Sequence, residues 1–196
     1  MVVFNSFNTE VARFIKNGAV GIIPTDTVYG LVCDARNRRA VERLYALKLR
    51  QHKPGTVIAA SLEQLEALGI KHRYLKADEI FWPNPLSVIV PCGPDLQYLH
   101  LGLNGLAARI PKDATIIDFV LNVGPLLTTS ANQPGKPVAN TLSEAKKYFG
   151  DAVDFYVDGG DLSSHQPSTI IRIVDDAIEV IREGAVKIDE TGKIQS

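Results

Sequence analysis

Leu126–Pro137 reads LLTTSANQPGKP, and an apolar lead-in of Pro125, Leu126 and Leu127 runs there into Thr128, Thr129, Ser130 and Asn132. Pro134, Gly135 and Pro137 then turn the chain. Such a string fits a buried strand that delivers small polar side chains at its carboxyl end, where open α/β sheets place their ligand clefts. Ser130 and Asn132 stand two apart, so continued strand geometry would bring both to one face. A hydroxyl and an amide can hold phosphate or carboxylate oxygens without adding a competing charge. The same string also suits a helix cap or a closing turn, and only the rest of the chain can choose.

Composition sets the frame. The chain has 196 residues, 45% of them hydrophobic, and a formal net charge of -1. No linker-like stretch interrupts it, which predicts one domain over residues 1–186 followed by a polar tail, 187–196, that frays. Bulk charge neither favours nor disfavours nucleic acid, so electrostatic steering has to come from local patches. Cys33 and Cys92 lie far apart beside apolar neighbours and read as reduced, buried thiols. There is no basic region followed by an apolar core at the N-terminus, and no apolar run of membrane-spanning length. A cytoplasmic protein without membrane contact is the expectation.

Upstream, Asn8 and Thr9 can cap a helix carrying Val11, Phe14 and Ile15, and Ala19–Ile23 reads as a strand covered on both faces. Pro24–Leu31, PTDTVYGL, then crowds hydroxyls, Asp26 and a tyrosine into a loop; a solvated turn explains it as well as a site does. A helical pattern from Asn37 carries Arg36, Arg38, Arg39, Arg43, Lys48, Arg50 and Lys53 against Glu42 alone. The helix dipole favours cations in a last turn by only about 0.3–1 kcal/mol each, which gives no reason to gather so many. A polyanion such as triphosphate or RNA would, with Lys48 and Arg50 as ligands and the earlier arginines as a solvated face.

Thr56–Ala60 reads as a strand, Ser61 with Gln64 as a capping box, Arg73–Phe81 as a helix and Leu86–Val90 as a strand. Trp82 is assigned to the core. Leu106–Pro111 carries Arg109 among apolar neighbours, where a charge is costly unless paired. No acidic partner is evident in sequence, so a ligand carboxylate is inferred for it. Thr115–Leu121 and a Thr141-capped segment read as helices, and Phe155–Val157, Ser168–Val174 and Ile178–Arg182 as strands. GxxxxGK[ST] and GxGxxG are absent, no His or Cys pair has zinc spacing, and no nucleophile stands with a base. What remains is an α/β domain with a cationic, hydroxyl-lined cleft, suited to catalysis by positioning and electrostatics, as in nucleotidyl transfer.

These motifs occur together in one known order. PTDTVYGL, Lys48-x-Arg50 with Lys53-Pro54, FWPNPL, Ala108-Arg109-Ile110-Pro111, Thr129-Ser130-Ala131-Asn132 with Gly135-Lys136-Pro137, Asp158-Gly159-Gly160, Ser168-Thr169 and Ile181-Arg182-Glu183-Gly184 resemble the YrdC-like family from about residue 8 to 186. The resemblance implies a twisted, mixed, largely parallel open sheet flanked by helices. It also implies L-threonylcarbamoyladenylate synthase activity: threonylcarbamoyl-AMP and pyrophosphate from L-threonine, bicarbonate and ATP with Mg2+. The product would serve a downstream tRNA threonylcarbamoyl transferase complex that modifies tRNA beside the anticodon.

By motif, Thr27, Arg109, Ser130 and Ser168 are implied as threonine contacts, and Lys48, Arg50, Lys53, Asn132, Arg182 and Thr141 or Asn140 as ATP contacts, with Lys48 and Arg50 catalytic and no protein-held metal. Gly55, where the family has a larger apolar residue, and His165-Gln166-Pro167 depart from the pattern. Longer relatives carry a further C-terminal domain, so a more open cleft is implied. Two alternatives stay open, a tRNA- or double-stranded-RNA-binding module using the Arg36 to Lys53 face and a synthase-inactive paralogue.

Overall fold

The computed structural model describes residues 1–49, 53–175, 177–189 and 193–195. Its strands are β1 (Val2–Phe4), β2 (Gly21–Ile23), β3 (Gly30–Asp34), β4 (Thr56–Ile58), β5 (Leu86–Pro91), β6 (Gly105–Arg109), β7 (Leu126–Ser130), β8 (Phe155–Val157), β9 (Thr169–Val174) and β10 (Ala177–Arg182). They form one open, mixed sheet in the order β1-β8-β2-β3-β7-β4-β6-β5-β9-β10. Four of its pairings are parallel and five antiparallel. Short loops join β2 to β3 and β9 to β10, a connection that only antiparallel neighbours can use.

Helices cover both faces: α1 (Thr9–Lys16), α2 (Arg38–Leu47), α3 (Leu62–Leu68), α4 (His72–Asp78), α5 (Gln97–His100), α6 (Ala114–Val123) and α7 (Leu142–Phe149). Period-two alternation along the strands builds a core on each face. Ile23, Val32, Ile58 and Leu126 join α1 and α6 in one core. Their chain neighbours Ile22, Leu31, Cys33, Val57 and Leu127 point the other way, into the larger core with α2, α3, α4 and α7. Sequence reading ends the loop at Leu31 and assigns no strand to Val32–Asp34; Gly30–Asp34 is the interior strand β3 because Leu31, Val32 and Cys33 alternate between the two cores.

Local chemistry ends the helices where expected. Asn8 accepts from the backbone N–H of Glu10 and Val11, and Thr141 from that of Glu144. At α3 the box is half reciprocal: Ser61 accepts from Gln64 N–H, while the Gln64 amide oxygen accepts from Ala60 N–H at 2.9 Å. The tail does not fray as expected throughout. Lys187–Ile188 (β11) pairs antiparallel with Ile194–Gln195 (β12), because Ile188 and Ile194 find apolar surface on the larger core.

Asp78 closes α4 with its carboxyl pushed up by burial to about 7. A folded-state value above the ordinary 3.8 makes stability fall as pH rises through the window between the two. Asp78→Asn should therefore melt higher than the parent at pH 8 and lose part of the parent's decline between pH 4 and pH 8, read by thermal melts across that range.

Candidate functional site

A cleft of about 560 Å³ is lined by Thr25, Thr27 and Val28 of the β2–β3 loop, by Gly30 at the start of β3 and by the segment Lys53–Thr56. Arg109 from the end of β6, Thr128–Ser130 from β7, Pro167 and Ser168 before β9, and Ile181 and Arg182 of β10 complete its walls. Of the residues singled out in sequence, Thr27, Lys53, Arg109, Ser130, Ser168 and Arg182 meet here. Lys48, Asn132 and Thr141 are not among the lining residues. Arg50 lies outside the described residues.

The PTDT loop is folded on its own hydroxyls. Thr25 accepts from the N–H of Thr27 and of Val28 and donates to Val28 O at 2.6 Å, which holds Thr27 at the bend. Thr27 Oγ1 lies 3.0 Å from Thr25 Oγ1 and accepts from both Arg109 terminal nitrogens at 3.3 Å. Tyr29 ties the loop to Asp158-Gly159-Gly160: its hydroxyl donates to Gly160 O at 2.9 Å and accepts from Gly159 N–H at 2.8 Å. His165 Nδ1 lies 3.1 Å from Thr27 O.

Arg109 has the acidic partner that sequence reading did not find. Asp26 Oδ1 lies 2.8 Å from Arg109 Nη2, with both side chains almost wholly buried. Eighty-odd residues of chain separate the two, so no local pattern could reveal the pair. Burial pushes the Asp26 carboxyl above its ordinary value against the pull of Arg109 and of nearby backbone N–H groups. It likewise draws the Arg109 guanidinium down against the opposing charge of Asp26. Neither Asp26 oxygen nor Arg109 Nε has an aligned hydrogen bond among the described residues; Arg109 lines the cleft, and Asp26 sits directly behind it, lining the adjoining hollow with Lys112 and Asp113.

Lys48 follows α2 and is buried. Its ammonium donates to Ser130 O at 2.9 Å, to Asn132 Oδ1 at 2.8 Å and to Asn132 O. Ser130 Oγ donates to the same Asn132 Oδ1 at 2.8 Å, and Asn132 Nδ2 reaches Lys136 O at 2.6 Å. Strand geometry ends at Ser130, so Ser130 and Asn132 meet through the turn that folds Asn132 N–H back onto Ser130 O, and Lys48 holds the backbone that carries them. The Thr141 hydroxyl caps α7, and Asn140 N–H goes to Glu144.

On the opposite wall, Arg182 donates to Ser168 O at 2.6 Å and to Ser168 Oγ at 3.2 Å. Ser87, fully buried on β5, lies 3.1 Å from Ser168 Oγ and supports it from beneath. Ser87 follows FWPNPL directly and passes in sequence for a strand residue. Trp82 is core, as expected, with its ring N–H on Leu86 O at 3.0 Å.

Two arginines of the arginine-rich face have acidic partners. Arg36 forks onto Asp34 at 2.9 and 2.8 Å, Arg43 onto Asp154 at 2.5 and 3.1 Å, and Arg38 lies 4.9 Å from the Tyr98 ring centre. Pairing Arg36 and Arg43 in this way reduces what the face offers a polyanion. Gly55 is required by packing: a Cβ there would lie 2.6 Å from Thr128 O and 2.9 Å from Leu127 Cδ1. Gly55→Val should cost about 1–3 kcal/mol of stability, measured as a lower urea midpoint with unchanged slope.

The profile of the Sua5/YciO/YrdC family, described as telomere recombination, matches residues 13–184. A Pseudomonas paraeruginosa protein named threonylcarbamoyl-AMP synthase is 34% identical over 173 residues, which cover 86% of this chain and 93% of that protein. P. abyssi Sua5 complexed with L-threonine superposes with a TM-score of 0.83 at 27% identity, over 95% of this chain and 58% of that one. A second P. abyssi Sua5 structure gives 0.84 at 27%, over 99% and 64%. The chain therefore spans less than two thirds of either P. abyssi chain. E. coli YciO, 22% identical with a TM-score of 0.78 over 93% of this chain and 94% of its own, has the same fold.

Proposed function

This chain belongs to the Sua5/YciO/YrdC family, and we propose on that premise that it is a threonylcarbamoyl-AMP synthase, a nucleotidyltransferase that makes its product and pyrophosphate from L-threonine, bicarbonate and ATP. The observation that carries the reading is the buried Arg109 beside Thr27, a cation with donors left over at the recessed end of a cleft. A guanidinium in that state matches a carboxylate, and the hydroxyls of Thr27, Ser130 and Ser168 suit the rest of a hydroxy amino acid.

In this reaction the threonine amine takes up carbon dioxide or bicarbonate to become a carbamate. Its oxygen attacks the α-phosphorus, and the bond to pyrophosphate breaks. Arg109 and Thr27 hold the amino acid, Lys53 and Arg182 on the cleft wall meet the phosphates and nucleotide, and Lys48 holds Ser130 and Asn132 in register. Arg50 adds its charge to the phosphates, and Asn132 with Thr141 or Asn140 completes the nucleotide end. Mg2+, where bound, would be held mainly by the ATP phosphates and would offset their charge. Among the described residues no cluster of three His, Cys, Asp or Glu side chains could hold it alone. The product would pass to a tRNA-modifying transferase in the cytoplasm.

Pyrophosphate release from ATP and bicarbonate, compared with L-threonine, with L-serine and with no amino acid, tests the reading. Release that depends on threonine supports it; release indifferent to the amino acid, or none, removes it.

A further inference from the structure

Asp26 is not among the residues assigned a role in the reaction, yet it carries the negative charge nearest Arg109. The pair is not built as a satisfied structural ion pair. It makes one charged contact at 2.8 Å, without the two-pronged alignment that Arg and carboxylate readily adopt. Both Asp26 oxygens and Arg109 Nε are left without an aligned partner, and the two Arg109 bonds to Thr27 are long at 3.3 Å. A buried pair with three unmet polar atoms contributes little to stability. Lys112 and Asp113, close by in sequence to Arg109, are exposed and screened by water.

The consequence lies in the charge the corner presents to ligands. A buried guanidinium alone would take any anion, including bicarbonate and pyrophosphate, both present during turnover. With Asp26 beside it, the corner is neutral before binding. A simple carboxylate would then leave net negative charge out of water, whereas an amino acid brings its own ammonium and leaves the sum at zero.

We propose that Asp26 is a specificity-determining residue: by cancelling the charge of Arg109 it makes the corner select a zwitterionic amino acid over a carboxylate that lacks the amine. This rests on the reading of the cleft as an amino-acid site and names the feature of the substrate that is sensed.

The test is calorimetric titration of the full chain, without ATP, with L-threonine and with its deaminated analogue 3-hydroxybutanoate. The parent should prefer threonine by about tenfold or more. In Asp26→Asn the preference should shrink to within about threefold, chiefly through tighter binding of the analogue, and Asp26→Glu, which keeps the charge, should keep the preference. An unchanged preference in an Asp26→Asn protein that melts cooperatively overturns the proposal. So does a parent that binds both compounds equally, a result that stands even if the Asn variant fails to fold. A parent that binds neither removes the amino-acid reading of the cleft, and this proposal with it.

Discussion

Replacing Arg109 by alanine is expected to lower threonine-dependent turnover at least about 100-fold, since the substrate loses its orienting cation. The same change should destabilise the fold by about 3–5 kcal/mol, because Asp26 would be left as a buried carboxylate with no counter-ion. The pH dependence has a definite sign. Burial already raises the Asp26 carboxyl above 3.8, and removing Arg109 raises it further. Stability is therefore lost as pH rises through the raised value, and the deficit relative to the parent should be larger at pH 8 than at pH 4. Adding Asp26→Asn should recover much of the stability and none of the turnover. Thermal melts at both pH values and a pyrophosphate assay separate the two effects.

Lys48→Met should also cost at least about 100-fold in turnover, by a different route. Its ammonium ties Ser130 O, Asn132 O and Asn132 Oδ1, and a methionine of similar length leaves those oxygens without this donor. The expected loss of stability is about 1–3 kcal/mol, small enough for the fold to persist. Lys48→Arg should not rescue turnover, because a planar fork cannot direct donors to three oxygens clustered around one point. Turnover near that of the parent in a folded Lys48→Met protein would show that the SAN segment holds its position without this lysine.

Sequence was most informative where chemistry is local. Asn8, Asn37, Ser61 and Thr141 all cap the helices they precede, because a cap is settled within a few residues. Ser130 and Asn132 meet through a turn just past β7, not through the strand alternation that their spacing suggested. Legibility failed where partners are distant. The Asp26–Arg109 pair and the Ser87–Ser168 contact are created by strand order. The ties of Lys48 to Ser130 and to Asn132, 84 positions away, were not legible from its neighbours in sequence either. The arginine run looked like a polyanion surface because Asp154, the partner of Arg43, follows 111 positions later. Gly30–Asp34 escaped as a strand because it lacks the polar alternation of a half-exposed one; every residue of it is buried.

The most direct measurement is of the product itself. The full chain would be incubated with ATP, Mg2+, L-threonine and carbon-13 bicarbonate, and the nucleotides resolved by mass spectrometry. An AMP adduct that contains threonine and carries the label in its carbamoyl carbon is predicted, formed together with pyrophosphate. Unlabelled AMP or ADP alone, or a labelled adduct without threonine, would contradict synthesis of threonylcarbamoyl-AMP by this cleft.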